Sequence, residues 1–403
     1  MKPAKPASAT MNEQTFVPAT MRAVYYSNIV TGNEYSPAAN VRQNNRELDA
    51  GLAAGALLDT DYLSPRPSAH QYLLKIQAAT WGHMEAPPTR VVSQRYASTR
   101  VPLHNVCGTV ISTPTEDHMK PGGPQFKIGD AVFGMLSFTR DGGAADYALA
   151  TEDELSLKPM NISAAEAASV VTPALVIKQA LSRYFATPVP ATSDGKGPTS
   201  LKPLHVLVIN GDDSKIGRIA VQLLRAETAT LAFARPWICA VCERHGSEAF
   251  KRESGVDEIL VSPPSPNQTV DLAATFHARE WGTADIILDF SIGATSQLAR
   301  ASSVLKNNGL VIALRMPCPK VESTVSRGQD ILCPDDSVVR FRYVAASPDG
   351  VALAQIAELI EGNKITIGET TIIDLVDASN FITTGFKEAP SRLADDEVVV
   401  RVN

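Results

Sequence analysis

Hydrophobic positions in the first 150 residues predict mainly β-strands. MRAVYYS (21–27) alternates enough to form a strand, and YLLKIQAAT (72–80) is predicted to pair with it. FKIGDAVFGML (126–136) and GGAADYALA (142–150) each combine an apolar strand with a glycine-containing turn. Residues 28–70 include RELDAGLAAGALLDT, whose apolar spacing is roughly helical. We expect this stretch to be an insertion in a β-rich domain.

The pattern changes at residue 161. Ser163 and Glu166 form an S-x-x-E capping box before a long apolar run, which predicts a helix. After a Pro-, Gly-, Ser- and Thr-rich loop at 186–203, short apolar strands alternate with helices. This alternation is typical of an α/β domain with a doubly wound parallel sheet, whose ligands bind at the carboxyl ends of its strands.

The tail returns to strand-like segments, ITIGETTIID and EVVVRV, which predicts that the chain goes back to complete the first domain. We therefore expect a disordered leader at 1–20, a mainly β domain at 21–160 plus 366–403, and an α/β domain at 161–365.

Composition narrows the possible partners. The chain has 403 residues, of which 44% are hydrophobic and 20% charged, as in an ordinary folded protein. Its net charge of −6 is dispersed, so nucleic acid is not an expected partner. No apolar run is long enough to cross a bilayer, and the leader lacks the apolar core of a secretory signal. We expect a cytoplasmic protein without a membrane partner.

The segment VLVINGDDSKIGRIAVQLLRA (206–226) predicts a strand, a turn bounded by Gly211 and Gly217, and a helix. This arrangement places a diphosphate at the N-terminus of a helix. Ser214 and Lys215 lie inside the turn as candidate phosphate donors. Asp212 and Asp213 would repel a diphosphate unless they point to solvent.

The ordered series of these segments resembles the medium-chain dehydrogenase/reductase superfamily, in its zinc-free quinone-reductase and enoyl-reductase branch. The stretch WICAVCERHGSEAFKRESGVDEIL is most similar to fungal trans-acting enoyl reductases, which work with polyketide synthases. The resemblance implies a Rossmann domain, a split GroES-like catalytic domain, and a nicotinamide cofactor between them.

Departures from the zinc-dependent relatives bear on metal binding. Gly82 stands where those relatives have a cysteine ligand, and His104-Asn105 matches their His-Glu pair. Because a catalytic zinc needs three protein ligands, the resemblance implies that no metal is bound. Cys239 and Cys242 form a C-x-x-C spacing, but they lie in the second Rossmann strand and are expected to act as small buried hydrophobes.

Cofactor selectivity depends on the end of that second strand. Cys242 stands at the position of the acidic residue that binds the ribose of NAD, and Arg244 is a candidate for the 2′-phosphate of NADPH. The alternative for Arg244 is a solvated loop residue. The resemblance thus implies cofactor binding by Gly211, Ser214, Lys215, Ile216, Gly217 and Arg244. Val176 replaces a threonine that relatives place near the nicotinamide.

Candidate general acids are His83, Tyr96 and His104, each of which could instead be a hydrogen-bonded structural residue. We expect His83 and Tyr96 to be catalytic. The first functional hypothesis is an NADPH-dependent enoyl reductase of secondary metabolism, acting on a free or carrier-bound enone, with a polyketide synthase as a possible partner. The alternative is a cofactor-independent cyclase or isomerase, or a non-catalytic partner, on a degenerate reductase fold. Both a monomer and a homodimer remain open.

Overall fold

The computed structural model describes residues 17–26, 56–81, 101–115, 123–184, 203–209, 211, 215–226, 234–242, 250–251, 254–261, 270–290, 302–313, 330–332, 338–388 and 398–402. The loop predicted at 186–203 lies outside these ranges except for its last residue. The leader predicted at 1–20 also lies outside them, except for residues 17–20.

The first half of the chain and the tail supply the strands of two sheets, whose described pairs are antiparallel except for β15 with β16. Their bounds are β1 Thr20–Tyr26, β2 Ala56–Leu63, β3 Tyr72–Thr80, β4 Asn105–Ser112, β5 Ala131–Met135, β6 Tyr147–Ala150 and β7 Leu155–Leu157. The tail returns as β15 Thr371–Asp374 and β16 Val398–Arg401, and β16 pairs antiparallel with β3. The larger of these sheets has the order β15-β16-β3-β4-β5-β7, and β6 pairs with β3.

Two expectations about the start of the chain are wrong. β1 pairs antiparallel with β2, in a separate two-stranded sheet, and not with β3. The partner strand comes from the stretch interpreted as an insertion with helical spacing, and its residues 56–60 are strand, not helix. Apolar residues in a window this short fit either period, and pairing with β1 decides the conformation.

The middle of the chain forms the parallel sheet. Its strands are β8 Pro203–Ile209, β9 Ala234–Cys242, β10 Glu258–Val261, β11 Ala284–Asp289, β12 Leu305–Ala313, β13 Asp330–Leu332 and β14 Val338–Tyr343. They have the order β10-β9-β8-β11-β12-β14-β13, in which only the edge strand β13 is antiparallel among the pairs described. Buried apolar residues occupy both faces of β8, β9, β11 and β12, as expected for a sheet covered by helices.

The helices are α1 Ala164–Tyr184, α2 Lys215–Ala226, α3 Leu272–Ala278, α4 Gly350–Glu361 and α5 Leu375–Glu388. The predicted capping box begins α1, because Glu166 N donates to Ser163 Oγ at 3.2 Å and Ser163 N donates to Glu166 Oε2 at 2.7 Å. Most of α1 is buried, since it shares one apolar cluster with the parallel sheet and with β3, β4 and β5. A helix that packs on both sides is apolar all round.

The predicted fold class is confirmed: a doubly wound Rossmann sheet stands beside a split, mainly β domain that the tail completes. The exact domain boundaries stay a prediction. None of the helices in the described part of the chain is long and apolar enough to span a bilayer.

Candidate functional site

The parallel sheet has its topological switch point between β8 and β11. β8 pairs with β9 on one side and with β11 on the other, and all three strands are parallel. Connections that leave towards opposite edges of a sheet open a crevice at the carboxyl ends of its strands. The ends of β8 and β11 meet there, because Phe290 N donates to Ile209 O at 3.0 Å.

Gly211 and Gly217 let the start of α2 touch the end of β8. A Cβ atom on Gly217 would lie 2.1 Å from Gly211 O, and a Cβ atom on Gly211 would lie 2.5 Å from Val208 Cγ1. Position 217 therefore requires glycine because it packs against the backbone of Gly211, and position 211 because a side chain there would collide with Val208. The packing brings the N-terminus of α2 to the carboxyl edge of the sheet. Residues 212–214, which include Ser214 and both aspartates of the turn, lie outside the described residues.

The side chains of Lys215 and Ile216 contact other parts of the protein. Lys215 is only 5% exposed, and its Nζ donates to Thr370 Oγ1 at 2.9 Å. Ile216 is fully buried in the core cluster, so only its backbone amide can serve a ligand. A phosphate contact by Lys215 would require the ammonium to leave Thr370, and this contact stays a prediction.

Asp289 is a buried carboxylate at the switch point that the sequence analysis missed. It ends β11, is 4% exposed, and lies opposite Ile209 in the ladder between β11 and β8. The signal in the sequence is an acidic residue directly after the apolar run IIL (286–288), at the carboxyl end of a strand. Asp289 lies at the carboxyl end of its strand, the edge of the sheet where ligands of such folds bind.

Asn105 links α1 to the end of β3. Thr172 Oγ1, in α1, donates to Asn105 Oδ1 at 3.0 Å, and Asn105 Nδ2 donates to Trp81 O at 3.1 Å. Asn105 and Thr172 are both fully buried. The amide uses an acceptor and a donor at once, which a carboxylate in its place could not do. Trp81 comes two residues before His83, so this network fixes the backbone from which the His83 segment departs.

His104 has a structural position. It is 3% exposed, its Nε2 lies 3.0 Å from Arg140 O, and its ring lies 4.7 Å from that of Phe138. Because a carbonyl oxygen only accepts, Nε2 carries the proton. The backbone just before His104 is strained, since Leu103 has a φ of 70° in the left-handed region. Of the two roles considered for His104, the structural one fits this geometry.

The structure leaves several predicted site residues unplaced. His83, Tyr96, Ser214 and Arg244 all lie outside the described residues. The structure brings together Gly211, Ile216 and Gly217 at the end of β8. Val176 is fully buried in the core cluster and adds no polar group to a cleft.

The cysteines of the second Rossmann strand behave as buried hydrophobes. Cys239 and Cys242 are fully buried in β9, and burial raises the pKa of Cys239 to about 12. A thiol with this pKa is neither a nucleophile nor a ready metal ligand near neutral pH. Within the ranges that the structure covers, no three His, Cys, Asp or Glu side chains are grouped as metal ligands.

Sequence relatives of the chain are oxidoreductases. A spinach protein named quinone-oxidoreductase homolog is 26% identical over 52% of this chain, and the chain spans 58% of its length. A protein of Arthroderma benhamiae, named "Probable zinc-binding oxidoreductase, mitochondrial", is 25% identical over 75% of this chain and 80% of its own. A mitochondrial NAD(P)H oxidoreductase of Dictyostelium discoideum is 22% identical over 75% of this chain and 84% of its own. No protein-family model matches the chain.

Solved structures match over nearly the whole chain. An alcohol dehydrogenase superfamily protein from Novosphingobium aromaticivorans has a TM-score of 0.62 at 17% identity, covering 86% of this chain and 96% of its own. The quinone oxidoreductase from Coxiella burnetii has a TM-score of 0.59 at 15% identity, with coverage of 95% and 99%. The fold is that of the medium-chain dehydrogenases/reductases. A third solved structure, that of the CurK enoyl reductase, has a TM-score of 0.61 at 15% identity, with coverage of 86% and 95%.

The described residues of this medium-chain fold fit a dinucleotide at the phosphate turn. The glycine pair lets the start of α2 pack directly against the end of β8, which places the N-terminus of that helix, a favourable position for an anion, at the carboxyl edge of the sheet.

Proposed function

We propose that the chain is an NADPH-dependent reductase that adds hydrogen across the C=C bond of an α,β-unsaturated carbonyl. The observation that carries this proposal is the backbone contact between Gly211 and Gly217 at the switch point of the parallel sheet. The names of the relatives support a nicotinamide-dependent oxidoreductase. The likeness to an enoyl reductase of known structure supports the reaction class.

Cofactor binding is assigned to the phosphate turn and to the end of β9. The backbone amides of Ile216 and Gly217, with the Ser214 hydroxyl and the Lys215 ammonium, bind the diphosphate. Arg244, two residues after the end of β9, pairs with the 2′-phosphate and favours NADPH over NADH. When bound, the cofactor supplies the hydride that reaches the β-carbon of the substrate.

The chain's own side chains complete the reaction. Hydride addition at the β-carbon moves the C=C electron pair towards the carbonyl and gives an enolate, which needs a proton at the α-carbon. His83 donates that proton and Tyr96 hydrogen-bonds the substrate. Asn105 is a positioning residue, because it holds the Trp81 carbonyl and thereby the backbone before His83.

The biological setting is proposed from the resemblance to trans-acting enoyl reductases. The substrate is then an enone carried on a synthase or free in solution, and the synthase is the partner. Some relatives have chloroplastic or mitochondrial in their names, so the cytoplasmic location stays a prediction.

The test is NADPH oxidation, followed by absorbance, with the crotonyl thioester of N-acetylcysteamine. The saturated butyryl thioester is the matched control, and a benzoquinone tests the activity that the spinach relative's name suggests. We expect oxidation with the crotonyl thioester only, and a loss of kcat of about a hundredfold or more in His83→Gln. If only the benzoquinone is reduced, the substrate is a quinone and not an enone. Turnover of substrate without any dinucleotide would favour the cofactor-free alternative.

A further inference from the structure

Residues 362–370 join the α/β domain to the mainly β domain, and we call them the second connection. The helix before them, α4, packs into the apolar cluster of the parallel sheet through Leu353, Ile356 and Ile360. The strand after them, β15, pairs with β16 of the mainly β domain. The second connection contains neither helix nor strand, so its position depends on contacts with neighbouring elements.

Helix α2 contacts the second connection at two points on one of its faces. Lys215 and Gln222 lie two helical turns apart, so their side chains leave the same face. The amide of Gln222 accepts from Thr366 N at 2.6 Å and donates to Thr366 O at 3.2 Å. Because this contact uses both a donor and an acceptor of a buried side chain, it fixes Thr366 on α2.

The contact made by Lys215 is of a different kind. Its Nζ donates to the hydroxyl of Thr370 at 2.9 Å, although the residue is only 5% exposed. The first turn of a helix is the positive end of its dipole, which is the unfavourable end for a cation. A neutral hydroxyl is also a weaker acceptor for an ammonium than a phosphate oxygen is. An anion bound at the start of α2 can therefore take the ammonium of Lys215 from Thr370.

Lys215 belongs to the phosphate turn by its backbone and contacts the second connection by its side chain. It is the first residue of α2, close to Gly217, which packs against Gly211 at the end of β8. Thr370 is the last residue of the second connection and directly precedes β15. If the ammonium moves from the hydroxyl to a phosphate, α2 loses its contact with the residue that leads into the mainly β domain.

We propose that Lys215 is a switch, which binds Thr370 in the cofactor-free chain and the diphosphate of NADPH in the complex. Thr370 then opposes cofactor binding. The bound cofactor in turn frees the end of the second connection that leads into β15, while Gln222 keeps its hold on Thr366. The switch rests on the proposed function, since NADPH supplies the anion that displaces Thr370.

Thr370→Val tests the switch, because valine keeps the shape of the side chain and removes the acceptor. Isothermal titration calorimetry should show NADPH binding about three- to tenfold tighter than in the wild type, since the cofactor-free chain loses a contact that the complex does not have. Thr370→Ser, which keeps the hydroxyl, should bind NADPH as the wild type does.

Thr366→Val is the matched control. Its hydroxyl lies 3.2 Å from Gln222 Oε1, on the same face of α2, but the backbone contacts of Thr366 with Gln222 remain in the variant. NADPH affinity should therefore be unchanged. A gain equal to that of Thr370→Val would overturn the proposal, because loosening the second connection anywhere would then be enough.

Lys215→Met shows whether the effect of Thr370 passes through the ammonium. This variant should bind NADPH about tenfold or more weakly than the wild type, because it loses the phosphate contact. Adding Thr370→Val to it should change the affinity by less than about twofold. An equal gain with and without Lys215 would overturn the proposal.

Unchanged or weaker NADPH binding by Thr370→Val would also overturn the switch, since Lys215 would then keep Thr370 in the complex. If neither the wild type nor Thr370→Val binds NADPH, the proposed function fails and the switch fails with it. Binding that appears only in Thr370→Val would support the switch. A cooperative thermal transition shows that each variant is folded.

Discussion

The side chain of Asn105 connects two parts of the molecule through a donor and an acceptor. Asn105→Ala should destabilise the protein by about 2–4 kcal/mol, because it leaves the Trp81 carbonyl and the Thr172 hydroxyl buried without this partner. Urea unfolding measures this loss of stability. Thr172→Val should lower the free energy of unfolding by less in the Asn105→Ala variant than in the wild type, because the hydrogen bond is already lost there.

Asn161→Ala is the matched control for Asn105, since its amide also donates to a carbonyl, that of Ile360, but does not contact Thr172. The losses of unfolding free energy in Asn161→Ala and Thr172→Val should therefore be additive in the double variant. Full additivity of Asn105→Ala and Thr172→Val would show that the two side chains are not coupled.

Buried thiols make the stability depend on alkaline pH. Burial raises the pKa of Cys107 and of Cys239 to about 12, above the ordinary value of 9.0. The folded chain then keeps protons that the unfolded chain releases. The stabilisation is present below about pH 9 and is lost as the pH rises towards 12, by up to about 1.4 kcal/mol per pH unit for each thiol. Cys239→Ala should reduce this slope in urea unfolding, and an unchanged slope would contradict the assignment.

Glycines at the two ends of the phosphate turn set how closely a strand and a helix approach. Gly217→Ala would place a Cβ atom 2.1 Å from Gly211 O, so α2 has to move away from β8. We expect a lower unfolding temperature and a loss of NADPH affinity of about a hundredfold or more. Gly368→Ala is the control, since its Cβ would meet no atom within 4 Å. Wild-type affinity in Gly217→Ala would show that the turn does not hold the cofactor.

The sequence predicted the elements better than their pairing. Ser163 and Glu166 predicted the start of α1 because a capping box is local, and the alternation of strands and helices predicted the parallel sheet. The partner of β1 was missed because nearly 30 residues separate β1 from β2. Lengthening a loop adds little closure entropy, so a hairpin tolerates such an insertion without any local signal.

Contacts between elements that are far apart in sequence also could not be predicted. Lys215 was a candidate phosphate ligand by its place in the turn, and nothing local indicated that Thr370, 155 residues away, would receive its ammonium. In the same region Gln222 Oε1 accepts from Thr366 N at 2.6 Å. These contacts attach α2 to the segment between α4 and β15, where the chain returns to the mainly β domain.

At the scale of the whole molecule, metal content separates this chain from zinc-dependent relatives. Asn105 is engaged by Thr172 and Trp81, and His104 by Arg140, so neither is arranged for a metal. We expect elemental analysis of the purified protein to show no stoichiometric zinc, and chelators to leave its unfolding temperature unchanged. One zinc per chain would contradict this expectation.

Selectivity between the two nicotinamide cofactors depends on how the turn and the second Rossmann strand act together. Arg244→Ala should weaken NADPH binding by about ten- to a hundredfold and leave NADH binding nearly unchanged, because only NADPH carries the 2′-phosphate. Isothermal titration calorimetry with both cofactors measures the difference. An equal loss for both would show that Arg244 supports the fold instead.

The central claim is that this medium-chain fold binds and uses NADPH, and direct titration tests it most simply. Nucleotide fluorescence is the better signal, because Trp237 and Trp281 form an aromatic cluster around His205 near the amino ends of the parallel strands, away from the expected site. We predict saturable binding of one NADPH per chain, tighter than NADH. Absence of saturable binding for both cofactors, in a protein shown to be folded, would contradict the account.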